Sequence, residues 1–195
     1  MNSAIYRLGL NSFVRLMSIF ILTVVLSMQA WSKEFTITRA SATFDETALL
    51  VDAIFDLQQS DAIDEALQNG IHIRLTATLD LFKQKRFRWD KRIARWRFNY
   101  DIQYHSLTNS YSLEDAQKDE SQSYSSLLEL FNDIETFHFE SDIDTQSLPA
   151  SKRGYKLQLG MALDRNSLPA PLRVMTYILP KWRMKSDVHE WLIDG

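Results

Sequence analysis

Two stretches of strict alternation dominate the chain. From Ile71 the apolar positions are Ile71, Ile73, Leu75, Ala77, Leu79 and Leu81, with His72, Arg74, Thr76, Thr78 and Asp80 between them. A second run has the opposite parity: Ala94, Trp96, Phe98, Tyr100, Ile102 and Tyr104 against Arg95, Arg97, Asn99, Asp101 and Gln103. A period of two puts each apolar set on one face of a strand and leaves the other face wet, the pattern of antiparallel sheet. The second run is about 36 Å long at ~3.3 Å per residue, and a strand of that length is expected to twist or bulge. The segment from Phe82 to Ile93 joins the two runs into a long hairpin.

Weaker patterns fill the rest. Glu34 to Phe44 reads as a strand with a polar second half, and Leu49 to Leu57 as a strand with imperfect alternation. Ser60-Asp61 is placed to cap a short helix with Ile63, Ala66 and Leu67 buried and Gly70 ending it. Thr108 to Leu113 is expected to add a third strand to the meander, and the polar stretch Glu114 to Gln122 to be a loop. Ser123 is then expected to cap a helix carrying Leu127, Leu128, Leu130, Phe131 and Ile134. Phe137 and Phe139 suggest a short strand, Ser141 to Arg153 a loop containing Pro149, and Tyr155 to Leu163 a cleanly alternating strand. Pro171 opens a short helix through Ile178, since proline is tolerated at the first helical position, and Pro180 ends it. Trp182 to Trp191 reads as a last, aromatic-rich edge strand. These elements predict an α+β fold, mainly antiparallel β-sheet, with two or three short helices. So long a wet-faced meander needs cover on its apolar side, so the sheets are expected to stack as a sandwich.

The first thirty-two residues follow another logic. Arg7 and Arg15 are their only charges, an apolar run extends from Leu16 to Leu26, and Ala30-Trp31-Ser32 puts small residues at both positions a signal peptidase reads. The run falls short of the ~20 apolar residues that span a bilayer. This is the layout of a secretory signal peptide cleaved between Ser32 and Lys33; an uncleaved inner-membrane anchor is the alternative. Cleavage would leave residues 33–195 as a single periplasmic β-rich domain, with no transmembrane segment.

Composition narrows the chemistry. The leader holds two of the 22 basic residues and none of the 25 acidic ones, so its loss moves the net charge from −3 to −5. So mild a balance argues against nucleic acid as a partner. Without cysteine there are no disulfides, thiolate metal sites or cysteine nucleophile. No glycine pattern cradles a phosphate and no G-x-S-x-G elbow occurs. The histidines, His72, His105, His138 and His189, show no metal-ligand spacing, although His72 and His105 could converge in space. Glu140, Asp142 and Asp144 alternate as if to hold calcium, but Thr145 and Ser151 stand where an EF-hand needs glycine and glutamate. The sequence therefore nominates no catalytic residue, cofactor or metal.

Charge is segregated along the chain. Lys83, Lys85, Arg86, Arg88, Lys91, Arg92, Arg95 and Arg97 crowd one segment, offset by Asp90 and interleaved with Phe87, Trp89 and Trp96. From Asp119 to Ser151 there are eight acids and no Lys or Arg. Arg86, Arg88, Lys91, Arg92, Arg95 and Arg97, with Phe87 and Trp89, could engage anionic lipid head groups, acidic glycans or an acidic envelope protein. Alternatively the basic side chains keep a hairpin edge soluble.

Several local motifs converge on one family. Glu65-Ala66-Leu67-Gln68-Asn69-Gly70-Ile71 ahead of the alternating strand, Trp89-Asp90-Lys91, and Tyr104-His105-Ser106-Leu107 to Tyr111 resemble the bacterial family called domain of unknown function 4390. Ser125-Ser126-Leu127, Leu168-Pro169-Ala170-Pro171-Leu172-Arg173 and Trp182-Arg183-Met184-Lys185-Ser186-Asp187 fit it too. One departure is Val188, where the family pattern leads one to expect a second tryptophan; Trp191 lies three residues on. The resemblance implies an exported proteobacterial protein with no assigned activity or site residues. It also implies a gene neighbourhood with a membrane sensor kinase of the nitrogen-regulation type. The expectation is a non-enzymatic periplasmic binding domain, an accessory to such a kinase in its most concrete form. The alternative is an envelope hydrolase acting on glycan or cell wall.

Overall fold

The structure, a computed structural model, describes residues 35–45, 48–85, 88–116, 120–141, 143, 154–179, 182 and 184–193. The leader with its Ser32–Lys33 junction, Arg86, Phe87, Asp142, Asp144, Pro149 and Pro180 lie outside the described residues.

The alternating segments become strands of two antiparallel sheets. β1 (Phe35–Phe44), β2 (Leu49–Leu57) and β7 (Thr136–Glu140) form a three-stranded sheet in the order β1-β2-β7. β3 (Ile73–Lys83), β4 (Lys91–His105), β5 (Ser110–Asp115), β6 (Glu120–Tyr124), β8 (Tyr155–Leu163) and β9 (His189–Ile193) form a six-stranded sheet in the order β6-β5-β4-β3-β8-β9. Helix α1 (Asp61–Gln68) carries the chain from the small sheet to the large one, and α2 (Leu127–Ile134) carries it back. A 3-10 turn (Arg165–Ser167) and α3 (Ala170–Ile178) lie between β8 and β9. The α+β, mainly antiparallel reading holds.

One core joins the sheets. Leu49, Val51, Ala53, Phe55 and Leu57 face in from β2; Leu75, Ala77, Leu79 and Leu81 face in from β3, and Leu157, Leu159 and Met161 from β8. Rings meet across the gap: Phe98 lies edge-on to Phe137 at 4.8 Å and to Phe139 at 5.0 Å, and Trp96 meets Phe139 at 5.1 Å. Edge-to-face geometry aligns the positive ring edge with a negative ring face and adds to the area buried. On one side the sheets touch, where Phe35 of β1 bridges to Ser186 ahead of β9. On the other side β7 and β6 end their sheets, and three strands cannot cover the inner face of six.

Three expectations need correction. Ser123 does not cap a helix: it lies in β6, opposite Ser112. The cap of α2 is Ser126, whose hydroxyl accepts the Glu129 N–H at 3.1 Å, while the Glu129 carboxylate accepts the Ser125 N–H at 3.0 Å. This reciprocal arrangement is a capping box displaced by one residue, and the bonds from Ser125 hold Glu129 below the usual carboxylate range. The stretch Glu114 to Gln122 is not all loop, since β5 runs to Asp115 and β6 begins at Glu120. Four of the five β6 residues are exposed and polar, so no apolar alternation announced the strand; its ladder with β5 makes it one. The last strand is shorter than Trp182 to Trp191. Ser186 trades bonds with Met161 and Lys185 bridges Ala162, but Asp187-Val188 bulges opposite Gly160 before β9 pairs regularly from His189. A side chain at Gly160 would meet the Ser186 hydroxyl at 3.5 Å.

Candidate functional site

The basic segment sits on β4 and the tip of the β3–β4 hairpin. From Ala94 onward the parity is as the alternation requires: Phe98 and Ile102 are buried, Trp96 and Tyr100 half-buried, Arg95 and Arg97 exposed. A register shift then intervenes, because Leu81 faces Ala94 but Phe82 faces Arg92, leaving Ile93 as an extra residue. A bulge reverses the phase of what precedes it. Arg92 therefore joins Arg95 on the outer face. The adjacent apolar pair Ile93-Ala94 was the one sequence signal of this break.

Both arginines converge on Asp80. Arg95 binds its carboxylate through two 2.6 Å hydrogen bonds, and Arg92 stands 3.9 Å away. The Asp80 side chain is only 9% exposed. A planar guanidinium fork matches a carboxylate in this way, and ammonium does not. The bond from Asp80 raises the Arg95 pKa against the opposing effect of its partial burial. The pair is one rung of a polar ladder across the outer face: Arg74 with Asp101 at 2.8 and 2.9 Å, and Thr76 with Asn99 at 2.9 Å. At the ladder's far end the Lys156 ammonium lies 3.0 Å from Asp90 and 3.4 Å from Glu190, and Gln158 donates to Glu190. Lys83 places its ammonium 4.0 Å from the centroid of the buried Tyr155 ring.

The basic strip thus divides in two. Its base, Arg92 and Arg95, ties strands together. At its tip Arg88 and Lys91 are exposed, and Trp89 is 95% exposed. Arg97, opposite Thr78, is exposed on the outer face between the ladder rungs.

A second feature belongs to no single segment of the sequence. Where the small sheet stops short, a groove of about 470 Å³ opens between β7 and the inner face of β4, β5 and β6. Phe98, Tyr100, Leu113, Ile134, Phe137 and Phe139 give it an apolar floor, while Asp115, Glu120, Asp133 and Glu140 bring in acid, with no Lys or Arg among the described lining residues. Burial, and secondarily the charge of Asp115, push the Tyr100 phenol up to about 12. The Tyr124 hydroxyl donates to Asp133 at 2.7 Å. The acid-rich, base-free stretch from Asp119 was the available signal, but it needed the β5–β6 register to become a place.

The remaining candidates disperse. His72 is exposed ahead of β3, and His105, at the end of β4, bonds Ser112 at 2.8 Å. His138 pairs with Asp52 at 2.7 Å on the outer face of the small sheet. Among the described residues no three His, Asp or Glu side chains gather closely enough to hold a metal ion, and no helix is long and apolar enough to cross a membrane. Helix α3 turns Thr176 inward and leaves Val174, Met175, Tyr177 and Ile178 exposed.

The family model for a domain of unknown function, DUF4390, matches residues 32–192. The chain belongs to that family. No curated protein and no solved structure matches it.

Proposed function

We propose that this member of the DUF4390 family is an exported binding domain that docks on an anionic membrane surface through the tip of the β3–β4 hairpin. The observation that carries the reading is Trp89, 95% exposed just ahead of β4 beside exposed Arg88 and Lys91. An indole ring is at home at the level of lipid head groups, and each basic residue near an anionic surface adds about 1 kcal/mol. Arg95 contributes little directly, since Asp80 already holds it. The leader pattern supports export to the periplasm, where the outer leaflet of the inner membrane lies within reach. The gene neighbourhood implied by the family supports a concrete form, an accessory that sits beside a membrane-bound sensor kinase.

The test is retention on vesicles of phosphatidylglycerol against vesicles of phosphatidylcholine. Wild-type protein should sediment with the first and not the second, and salt should release it. Trp89→Ala with Arg88→Glu and Lys91→Glu should abolish retention without loss of fold. Equal behaviour of wild type and variant overturns the reading.

One observation favours the rival envelope hydrolase. The groove brings Asp115, Glu120, Asp133 and Glu140 around one cavity, and carboxylate pairs serve acid–base and glycosyl chemistry. Turnover of cell-wall fragments by wild type, lost in Asp115→Asn with Glu120→Gln, would establish it. Absence of turnover leaves the groove a binding surface.

A further inference from the structure

The groove has the shape of a missing strand. Across the β2–β7 ladder, the Glu135 carbonyl accepts the Phe55 N–H at 2.8 Å and the Ser141 N–H donates to the Leu49 carbonyl at 3.0 Å. Hydrogen-bonded and non-bonded pairs alternate along an antiparallel ladder. With the observed register, the odd-numbered residues of β7 therefore bond to β2, and Thr136, His138 and Glu140 turn their N–H and C=O groups toward the edge that no described strand covers. That edge borders the groove along its whole length, and all five β7 residues line it.

We infer that β7 accepts an extended, lysine- or arginine-bearing peptide segment as a fourth strand of the small sheet. Three features argue for this occupant together. The edge offers backbone donors and acceptors in strand geometry, which an extended peptide matches and a compact ligand does not. The floor opposite is the inner face of the large sheet beyond the last strand of the small one, where Leu113 is buried and Tyr100 stays half-buried. Among the described residues the lining carries four carboxylates and no Lys or Arg, so an apolar strand with basic side chains complements it and an acidic one does not. The inference does not use the hairpin tip, and either site can fail without the other.

Three short blocked peptides test it on the purified chain: one of mixed lysine and valine, its counterpart with glutamate for lysine, and the lysine peptide with alternate amides N-methylated. Calorimetry reads affinity, and hydrogen exchange reads individual amides. The lysine peptide should bind and slow exchange at Thr136, His138 and Glu140, while the glutamate and N-methylated peptides should not bind. Glu120→Gln with Glu140→Gln should weaken the lysine peptide by about three- to tenfold, the worth of two exposed ion pairs. Trp89→Ala with Arg88→Glu should leave peptide affinity unchanged while removing vesicle retention. The inference is overturned if the lysine peptide does not bind, or if it binds equally when N-methylated, which would mean charge attraction alone. It is also overturned if these amides are already protected in peptide-free protein that runs at twice its mass in light scattering, because a second copy would then occupy the edge.

Discussion

Arg95→Ala separates the two readings of the basic strip. If Arg95 were a solvated, ligand-seeking cation, its removal would cost the fold little, as at most exposed surface positions. The structure predicts otherwise, because truncation leaves Asp80 nearly buried with Arg92 3.9 Å away. Removing one partner of a fully buried ion pair costs about 3–5 kcal/mol, mostly as the penalty of the stranded charge. Arg95 itself is 36% exposed, so water and a shift of Arg92 recover part of that, and about 2 kcal/mol is expected. With a urea dependence of about 2 kcal/mol per molar, the midpoint should fall by roughly 1 M at unchanged slope. Arg95→Lys should recover only part, since ammonium cannot form the fork, and Arg97→Ala should cost under about 1 kcal/mol. In a double-mutant cycle with Asp80→Asn the two losses should fall short of adding by about 1 kcal/mol or more. Urea curves on which Arg95→Ala and Arg97→Ala coincide would refute the assignment of Arg95 to the fold.

Other expectations follow from single contacts. Trp96→Ala should cost about 2–3 kcal/mol, below the range for a fully buried tryptophan because Trp96 is half-buried against Phe139; a chemical denaturation curve unmoved by the change would contradict the inward phase of β4. The Tyr155 hydroxyl is buried with no hydrogen-bond partner among the described residues, so Tyr155→Phe should gain about 1 kcal/mol, and a lower melting temperature would show that a partner exists. Tyr100 titrates near 12 in the fold and near 10 unfolded. Between those values the folded protein holds the extra proton, so stability is intact below pH ~10 and falls, by on the order of 2 kcal/mol, as pH approaches ~12. Tyr100→Phe should remove that part of the alkaline slope, and identical alkaline melts of the two proteins would disprove it.

Legibility followed burial. β2 and β8 have the bounds the alternation assigns, because each has one face in the core and a slipped register would expose every apolar residue. β6 was illegible, because its exposed polar residues obey a ladder and not a core. The bulge at Ile93 had only the adjacent apolar pair Ile93-Ala94 to mark it, for a related reason: it lies beyond the last inward tryptophan, where burial constrains the phase less. Charge was legible as density but not as pairing. Arg95 and Asp80 are fifteen residues apart, and only the hairpin register brings them opposite one another. The groove was hidden most completely, because it is a difference between two strand counts and belongs to no single segment.

That difference also bears on solubility. Each sheet has two edges, and an unguarded edge is a template for unwanted pairing. β1 and β9 shield one another where Phe35 meets Ser186, and the Asp187-Val188 bulge breaks the strand there. β6 is short and presents polar side chains. β7 is as short as β6 but has no bulge in its ladder and no covering strand among the described residues. Its inward residues are aromatic, its outward amides are aligned, and its protection is brevity, five residues in all, together with the nearby carboxylates. Acidic flanks repel other acidic strands and admit basic ones, so the feature that keeps β7 from random pairing is also the one that would select its partner. Replacing Glu120 and Glu140 with glutamine should therefore do more than weaken a cationic peptide. It should also relax discrimination against the glutamate peptide and raise self-association. If the variant stays monomeric and equally selective, the acids do not guard this edge.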